Sequence, residues 1–413
     1  MTPGTPSAEG SKSLLMLAYY FPPQNESGAM RPYRFAKYLP EFGYAPQVIS
    51  LGTSERRPER DDIHEVPVPG EPRALVNLAS RAAHRLERTL LPYNERLPWV
   101  PYAIAEAGRI YQKQPYSIIF STSPPLATQI SAMWIKRRYG TKWVADLRDP
   151  LFGNPFRTRG IGRPYDAMLE RLIFRNADAL IANTDVVAQG WCARYPHWKH
   201  KIAVIWNGFD PEERLEPAAI PNRECRVMLH AGALYGGRNP RLLLASIDRL
   251  ITRGRLKPGA FRIELLGVSE KSVCDDLSGF VRKGFLEHSN AVPRDEAIAR
   301  MAGSDFLLLV DTNELNTGLQ VPAKLFDYLR VGRPILTITT RNSPADRILA
   351  GSGIRYAALY SDDSEKCVDE KVLAFFALPP ETTQPNQWFW KEFDGRVQAR
   401  TLAELLNGLV STD

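Results

Sequence analysis

Lys324 and Asp327 are the residues whose types and spacing most directly indicate chemistry. They lie in the run 320–337, QVPAKLFDYLRVGRPILT, which predicts a helix over 323–330 that begins after a proline and stops at Gly332. Two side chains three positions apart share one helical face, here close to the helix N-terminus. A phosphate bound there would have Lys324 as its counter-charge, while Asp327 accepts hydrogen bonds from sugar hydroxyls. The alternative is a solvated Lys–Asp pair on an ordinary surface helix.

A glycine-rich loop in the second half of the chain is another candidate for binding an anion. The loop 231–240, AGALYGGRNP, lies between a predicted strand and a predicted helix. Its glycines Gly232, Gly236 and Gly237 let backbone amides approach a phosphate closely, and Arg238 adds a fixed positive charge. The loop matches neither common glycine-rich nucleotide motif, so by itself it is a weak signal.

These segments resemble the donor-binding region of glycosyltransferase family 4, a group of retaining, nucleotide-sugar-dependent enzymes with the GT-B fold. In that family a carboxylate that is followed five residues later by a glycine, and then by a proline-initiated strand, holds the donor ribose. Asp327, Gly332 and Pro334 match this pattern. The basic residue that the family places against the donor diphosphate is matched, with a substitution, by Arg238. The resemblance implies a donor site formed by Gly232, Gly236, Gly237, Arg238, Phe285, Val321, Lys324 and Asp327.

The N-terminal half has its own candidate residues, at places where predicted strands end. The loop after the first strand contains Ser27 and Gly28 and leads into a helix with Arg31, within a stretch that resembles the same family. Arg148 and Asp149 follow a later strand, in the sequence ADLRDP. Parallel α/β sheets bind ligands at the carboxyl ends of their strands, so we expect these residues near a substrate.

The resemblance implies roles for them. Ser27, Gly28, Arg31 and Arg148 would lie on the acceptor side, and Asp149 would act as the general base toward an acceptor hydroxyl. Arg238 and Lys324 would stabilise the leaving diphosphate without a metal, and no D-x-D sequence occurs in the chain. Alternatively, the aspartate caps the next segment of the chain, and the arginines lie on a helix face that is exposed to solvent.

Alternating strand and helix patterns predict an α/β protein with two Rossmann-like domains. The predicted strands are 14–20, 46–51, 117–121, 142–145, 179–183, 201–205, 226–230, 262–267, 305–310 and 335–338. The predicted helices include 30–42, 127–139, 241–250, 294–301 and 391–406. Residues 52–72 read as an exposed excursion and 286–293 as a loop.

The resemblance implies the GT-B architecture, with two facing Rossmann-like domains and a C-terminal helix that crosses back. We expect a disordered N-terminus over 1–13 and an acceptor-binding domain over 14–210. A nucleotide-sugar-binding domain would follow over 211–390, and the last helix, over 391–413, would pack on the first domain.

Composition and charge limit the classes of partner. The 413 residues are 44% hydrophobic and 24% charged, and the net charge of +7 indicates an anionic partner such as a nucleotide diphosphate or an acidic membrane surface. Four scattered cysteines suggest neither disulfides nor a zinc site and indicate a reducing, cytoplasmic compartment. No nucleic-acid recognition motif accompanies the charge, so we do not expect nucleic acid as a partner.

A basic amphipathic helix is predicted over 73–91. Such a helix can lie on an anionic bilayer, where it would meet a lipid-linked sugar acceptor, or it can pack on the sheet with its arginines in solvent. No window reaches the roughly 20 apolar residues of a spanning helix, so contact with the inner face of the cell membrane would be peripheral.

Taken with the resemblance, these observations predict a metal-independent hexosyltransferase, with a nucleotide-diphosphate sugar as co-substrate and no other cofactor. Its role would lie in the synthesis of a cell-surface polysaccharide or glycolipid. The family commonly has a second acid eight positions before the ribose carboxylate, where this chain has Leu319. That departure leaves two alternatives open: a sugar-nucleotide epimerase of the GT-B fold, and a catalytically silent binding or scaffold protein.

Overall fold

The computed structural model describes residues 11–24, 28–52, 60–67, 93, 95–154, 157, 162–215, 224–235, 237–311 and 319–411. The predicted basic helix over 73–91, Ser27 and Gly236 lie outside these residues. The chain divides into two compact units: unit 1 is residues 1–210 with 395–413, and unit 2 is residues 211–394. No helix in the described ranges is both long and apolar enough to cross a membrane.

Unit 1 contains a seven-stranded parallel sheet. Its strands are β1 (Lys12–Ala18), β2 (Tyr44–Leu51), β3 (Ile63–Val66), β4 (Ile118–Ser123), β5 (Lys142–Leu147), β6 (Ala179–Ala182) and β7 (Ile202–Val204), in the order β3-β2-β1-β4-β5-β6-β7. Its first helices are α1 (Met30–Tyr38), α2 (Val100–Lys113), α3 (Ala127–Tyr139), α4 (Gly162–Asn176) and α5 (Asp185–Arg194). The central strands are buried on both faces, which explains their continuous apolar runs.

Unit 2 contains a six-stranded parallel sheet. Its strands are β8 (Arg226–Ala231), β9 (Phe261–Leu266), β10 (Leu286–Ser289), β11 (Phe306–Val310), β12 (Ile335–Ile338) and β13 (Tyr356–Leu359), in the order β10-β9-β8-β11-β12-β13. Its helices are α6 (Arg241–Thr252), α7 (Lys271–Arg282), α8 (Arg294–Ala302), α9 (Lys324–Val331), α10 (Pro344–Ser352), α11 (Glu365–Phe376) and α12 (Gln387–Phe393). β1 is an interior strand of the first sheet and β8 is an interior strand of the second, so the loops that follow them open away from the sheet edges, at the carboxyl ends of the strands.

The prediction of 52–72 and 286–293 as irregular was wrong at two short strands. Among the described strands, β3 pairs only with β2 and β10 only with β9, so both lie at an edge of their sheet. Their sequences, IHEV and LEHS, contain charged or polar residues that an edge strand exposes to solvent. Short polar segments of this kind lack the apolar run by which the central strands are recognised.

The C-terminal helix packs on unit 1, as predicted for the GT-B architecture. After α12 the backbone is extended at Asp394, and α13 (Gly395–Val410) follows. Ala399, Leu402 and Leu406 of α13 are fully buried in the same apolar core as Phe35 of α1. A methyl group on Gly395 would lie 2.8 Å from both the Arg34 side chain and the Phe209 carbonyl, so the close approach of α13 requires glycine there.

Candidate functional site

The Lys324 side chain lies at the carboxyl end of β8. Its Nζ is 3.0 Å from Nε2 of His230, the penultimate residue of β8. Gly232 follows that strand with φ +119°, and a Cβ built there would lie 2.6 Å from Nζ. Any other residue at 232 would therefore be strained and would also displace the lysine. The ammonium is thus held in a space that the missing side chain of Gly232 leaves open.

His230 is fully buried and neutral. Its Nδ1 lies 2.8 Å from the Leu308 carbonyl, which only accepts hydrogen bonds, so Nδ1 holds the ring hydrogen. In this tautomer Nε2 has a lone pair and accepts from Lys324. Burial, and then the nearby charge of Lys324, lower the pKa of His230 well below its ordinary value, which keeps the ring uncharged at neutral pH.

Two positive groups lie near one another at this edge. Burial and then the charge of Arg238 lower the pKa of Lys324 to about 7, against the opposing effect of Asp311. Arg238 is itself buried, with its guanidinium 4.8 Å from the ring centroid of Tyr235. Among the described residues no carboxylate lies within 4.0 Å of the Lys324 ammonium. Such an arrangement destabilises the unliganded protein and favours a bound anion.

The backbone around these cations is closely packed. Gly267, after β9, has φ +139°, and a Cβ there would lie 2.8 Å from the backbone of Gly232. The Ala231 amide donates to the hydroxyl of Tyr328 at 2.7 Å, which fixes α9 against the end of β8. Gly237 has φ +84°, a backbone conformation that favours glycine. The position of Lys324 is therefore set by closely packed neighbours.

Asp327 faces different partners from Lys324. Its two carboxylate oxygens accept from Arg294 of α8 at 2.8 and 3.0 Å. Arg294 also donates to both oxygens of Glu213, which pairs in turn with Arg330 of α9 at 2.9 Å. The predicted shared face is thus divided between a lysine that bonds His230 and an aspartate that belongs to an ion network. A sugar hydroxyl would have to use the remaining lone pairs of Asp327.

Two other predicted donor residues are buried at different places. Val321 lies three residues before α9, in the segment that leads to Lys324. The structure does not bring Phe285 to the carboxyl edge. It directly precedes β10, at the amino end of that strand, and its side chain packs in the core with Met228 and Leu277. The Phe285 carbonyl accepts from the Ile263 amide at 2.9 Å.

At the carboxyl edge of the first sheet, Arg148 lies against Gly28. A Cβ on Gly28 would overlap the Arg148 guanidinium, so glycine is required for this contact. Arg148 Nε and Nη2 donate to the carbonyls of Ser123 and Pro124 at 2.9 and 3.0 Å. Burial lowers the pKa of Arg148, and the neighbouring charge of Asp149 opposes that effect. Within the described ranges no carboxylate lies within ion-pair distance of this guanidinium.

Arg31, predicted on the acceptor side, is turned inward. It is buried and donates twice to the fully buried Asp146, with both distances 2.9 Å. It also donates to the carbonyls of Ile205 and Trp206 at 2.9 and 2.7 Å. Thr122 donates to the same carboxylate at 2.7 Å. Arg31 therefore holds the segment after β7 in place and uses four of its five N–H donors inside unit 1.

The same side of α1 binds the rest of the sequence WNGFD. Arg34 donates to the side chain of Asn207 at 2.6 Å, and Lys37 and Tyr38 both bond Asp210. Residues 31, 34, 37 and 38 are spaced as one face of a helix, and each contacts the segment 205–210. This face of α1 therefore binds the segment 205–210 within unit 1.

Sequence reasoning missed His230. It is the one polar side chain in the interior of the apolar strand RVMLHA, directly before the glycine-rich loop. A histidine in a strand that is otherwise buried must satisfy its ring nitrogens, and this was the available signal. Its partner on α9 is 94 residues away in sequence, so no local pattern identifies the contact.

Comparison with known protein families gives a match to part of the chain. Residues 30–213 match the model of Glycosyltransferase Family 4. No curated protein sequence matches the chain significantly.

Solved structures match over almost the whole chain. A sucrose-phosphate synthase from Thermosynechococcus elongatus has a TM-score of 0.69 at 11% identity, covering 97% of this chain and 100% of that one. HepE from Anabaena, in complex with UDP and glucose, has a TM-score of 0.63 at 12% identity, covering 96% and 100%. A UDP-GlcNAc 2-epimerase from Methanocaldococcus jannaschii has a TM-score of 0.54 at 9% identity, covering 96% and 99%. At these identities the likeness concerns the fold. The chain therefore has the GT-B fold, and its residues 30–213 are similar to glycosyltransferase family 4.

Proposed function

We propose that this protein transfers a sugar, a hexose, from a nucleotide-diphosphate sugar to an acceptor hydroxyl, with retention at the anomeric carbon. The observation that supports it most strongly is the placement of Lys324 beside Arg238 at the end of β8, where no carboxylate of the described residues pairs with the lysine and only the charge of Asp311 opposes the repulsion. Cleavage of the anomeric bond leaves a nucleotide diphosphate, whose charge grows as the bond breaks. Two preorganised cations stabilise that charge more in the transition state than in the ground state.

Each group in this site has a defined role in the proposal. Lys324 and Arg238 bind the diphosphate, and the backbone at Gly232 and Gly237 approaches it closely. Asp327, oriented by Arg294, accepts from the donor ribose through its remaining lone pairs. Since the two cations supply the positive charge, the reaction needs no metal.

The acceptor side of the proposal lies in unit 1. Arg148 lies against Gly28 at the carboxyl edge of that sheet, where it would bind an acceptor oxygen or phosphate. Asp149, two residues beyond β5, is the proposed general base toward the acceptor hydroxyl. Unit 1 would thus bind the acceptor and unit 2 the donor.

A turnover assay tests the proposal. The protein is incubated with UDP-glucose, dTDP-glucose, ADP-glucose and GDP-mannose, with and without a polyprenyl-diphosphate sugar, and release of nucleotide diphosphate is measured. We expect one donor to be consumed, and Lys324→Met to abolish most of that release. Lys366→Met is the matched control, because Lys366 is exposed and 3.9 Å from Glu370 on α11.

The outcomes separate the alternatives. Conversion of a donor to its epimer without nucleotide release would identify an epimerase, and donor binding without turnover would identify a binding protein. If no nucleotide sugar binds, or if Lys324→Met behaves like Lys366→Met, the proposal is wrong.

We further propose that unit 1 docks on an anionic membrane, on the cytoplasmic side, where polysaccharide or glycolipid acceptors are held. On α3 and α4 the large apolar residues Trp134, Met168 and Leu172 are exposed. Around them lie the exposed arginines Arg137, Arg138, Arg163, Arg171 and Arg175, none of which pairs with a carboxylate in the described part of the chain. Aromatic and apolar residues rimmed by arginine are suited to the interface of an anionic bilayer.

The acidic residues of α4 do not reduce this charge at the surface. Asp166 and Glu170 are buried, and they accept from Arg157 and Arg194 inside the unit. α3 contains no acidic residue. The outward surfaces of both helices are therefore positive only.

Vesicle sedimentation tests this part of the proposal. Arg171→Glu with Arg175→Glu should abolish salt-sensitive binding to vesicles of phosphatidylcholine with one third phosphatidylglycerol. Lys257→Glu with Arg282→Glu changes the net charge equally on exposed residues of unit 2 and should leave binding intact. Equal loss in both double variants, or binding to pure phosphatidylcholine, would contradict docking by α3 and α4.

A further inference from the structure

We infer that His230 is a positioning residue that holds the Lys324 side chain at the end of β8 and couples the binding of a nucleotide diphosphate to the uptake of a proton. The inference rests on the proposed function. It adds to that function a residue outside the predicted donor site and a dependence of donor affinity on pH.

Geometry supports the positioning role. His230 Nε2 is the hydrogen-bond partner of Lys324 Nζ within the described residues, at 3.0 Å. The ring cannot turn away, because Nδ1 donates to the Leu308 carbonyl at 2.8 Å in the interior of the sheet. Gly232 lies beneath the ammonium and gives it no side chain to bond. The direction of the lysine therefore depends on one lone pair.

A neutral lone pair is suited to this task. A carboxylate at 230 would also hold the lysine, but it would neutralise the ammonium and repel an incoming diphosphate. The imidazole of His230 orients the ammonium and leaves its charge available. Its own pKa lies well below neutrality, so it does not become a competing cation.

The charged groups around Lys324 make its protonation sensitive to a ligand. Arg238 faces it from the loop after β8, Asp311 from the end of β11, and His230 from β8. Arg238 also faces His230, together with the carbonyls of Leu308 and Gly232. With its pKa lowered to about 7, Lys324 is only partly protonated in the free protein. A diphosphate beside it favours the ammonium, so binding takes up a proton.

This linkage predicts a pH profile for affinity. Below pH 7 the dissociation constant should be nearly constant, and above it affinity should fall by up to tenfold per pH unit. We expect binding about 20-fold weaker at pH 8.5 than at pH 6.5, with uptake of about half a proton at pH 7. The probes are UDP-glucose, dTDP-glucose and GDP-mannose, whose doubly esterified diphosphates do not titrate in this range.

Two substitutions at 230 separate positioning from a structural role. His230→Asn keeps a donor close to the Leu308 carbonyl and has no acceptor that reaches Lys324, whereas His230→Gln supplies an amide oxygen near the position of Nε2. Loss of a hydrogen bond to a charged group corresponds to about tenfold in affinity. We expect His230→Asn to bind about tenfold more weakly at pH 8 and to shift the pH midpoint lower. His230→Gln should recover most of both effects.

Isothermal titration calorimetry in buffers of different ionisation enthalpy measures affinity and proton uptake together. Lys324→Met should bind weakly and without proton uptake. If no probe binds at any pH, the proposed function fails. If binding depends on Lys324 but has a flat pH profile, or if His230→Asn is milder than His230→Gln, the proposed function stands and the role of His230 is wrong.

Discussion

Each unit of this protein has a cation that lies against a glycine at the carboxyl edge of its sheet, but the two cations are held differently. In unit 1 the Arg148 guanidinium lies against Gly28 and donates to two backbone carbonyls. In unit 2 the Lys324 ammonium lies over Gly232 and bonds a buried imidazole. Arginine stays charged at all accessible pH values, whereas a buried lysine titrates. The difference indicates a permanent charge in unit 1 and a charge in unit 2 that depends on pH.

Each unit also contains an arginine–carboxylate ion pair, and the two pairs differ in their exposure to solvent. Arg31 and Asp146 form a pair that solvent hardly reaches. The Arg294–Asp327 pair is partly exposed, and Arg294 has Glu213 as a second partner. Removing one charge of the Arg31–Asp146 pair leaves the other charge buried without a counter-charge. Removing the charge of Asp327 leaves Arg294 paired with Glu213.

The largest predicted effect therefore concerns these two pairs. Asp146→Asn should lower the free energy of unfolding by about 3–5 kcal/mol, because it leaves Arg31 buried without its carboxylate. Asp327→Asn should cost about 1–2 kcal/mol, since Arg294 keeps Glu213. Urea denaturation of both variants measures the difference. Equal losses would show that burial does not distinguish the pairs.

The next effect separates the two cations by function. Lys324→Met should lower kcat for donor cleavage by about 10²–10³, because it removes a charge that stabilises the leaving diphosphate. Arg148→Met should instead raise KM for the acceptor about tenfold and leave KM for the nucleotide sugar unchanged. Steady-state kinetics with both substrates varied measures this. A loss of donor affinity in Arg148→Met would contradict the proposal that unit 1 binds the acceptor and unit 2 the donor.

The unit 2 lysine should also affect stability with pH. Its folded pKa, about 7, lies below the ordinary value of about 10.4, so between these values the unfolded chain binds more protons. The free energy of unfolding should therefore rise from pH 7 to pH 10 by about 1–3 kcal/mol through this group, and Lys324→Met should remove that rise. Arg148→Met is the control, since an arginine does not titrate there. Thermal unfolding at both pH values in each variant is the measurement.

The smallest predicted effect is at the glycines. Gly28→Ala forces the Arg148 guanidinium to move and should raise KM for the acceptor about fivefold. Gly232→Ala displaces Lys324 and also strains a backbone at φ +119°, so it should weaken donor binding more and lower the melting temperature. If Gly28→Ala has the larger effect, positive φ is less important than the crowding of the cation.

Local patterns in the sequence predicted much of the architecture. The helix over 323–330 and its stop at Gly332 agree with α9, where Gly332 has φ +76°. The apolar runs at β1, β4 and β11 read directly as buried parallel strands. These features depend on residues within one element, and the resemblance to glycosyltransferase family 4 rested on the same short segments.

Contacts between distant elements were decided only by the tertiary structure. The spacing of Lys324 and Asp327 placed them on one helical face, but His230 and Arg294 determine where each side chain is bound. The type and helical position of Arg31 were compatible with an acceptor contact until Asp146, 115 residues away, was seen to bind it. A sequence determines which side chains an element presents, because periodicity is local. Which partner each meets depends on how the sheet brings remote strands together, and that determines whether a charge is neutralised or left for a ligand.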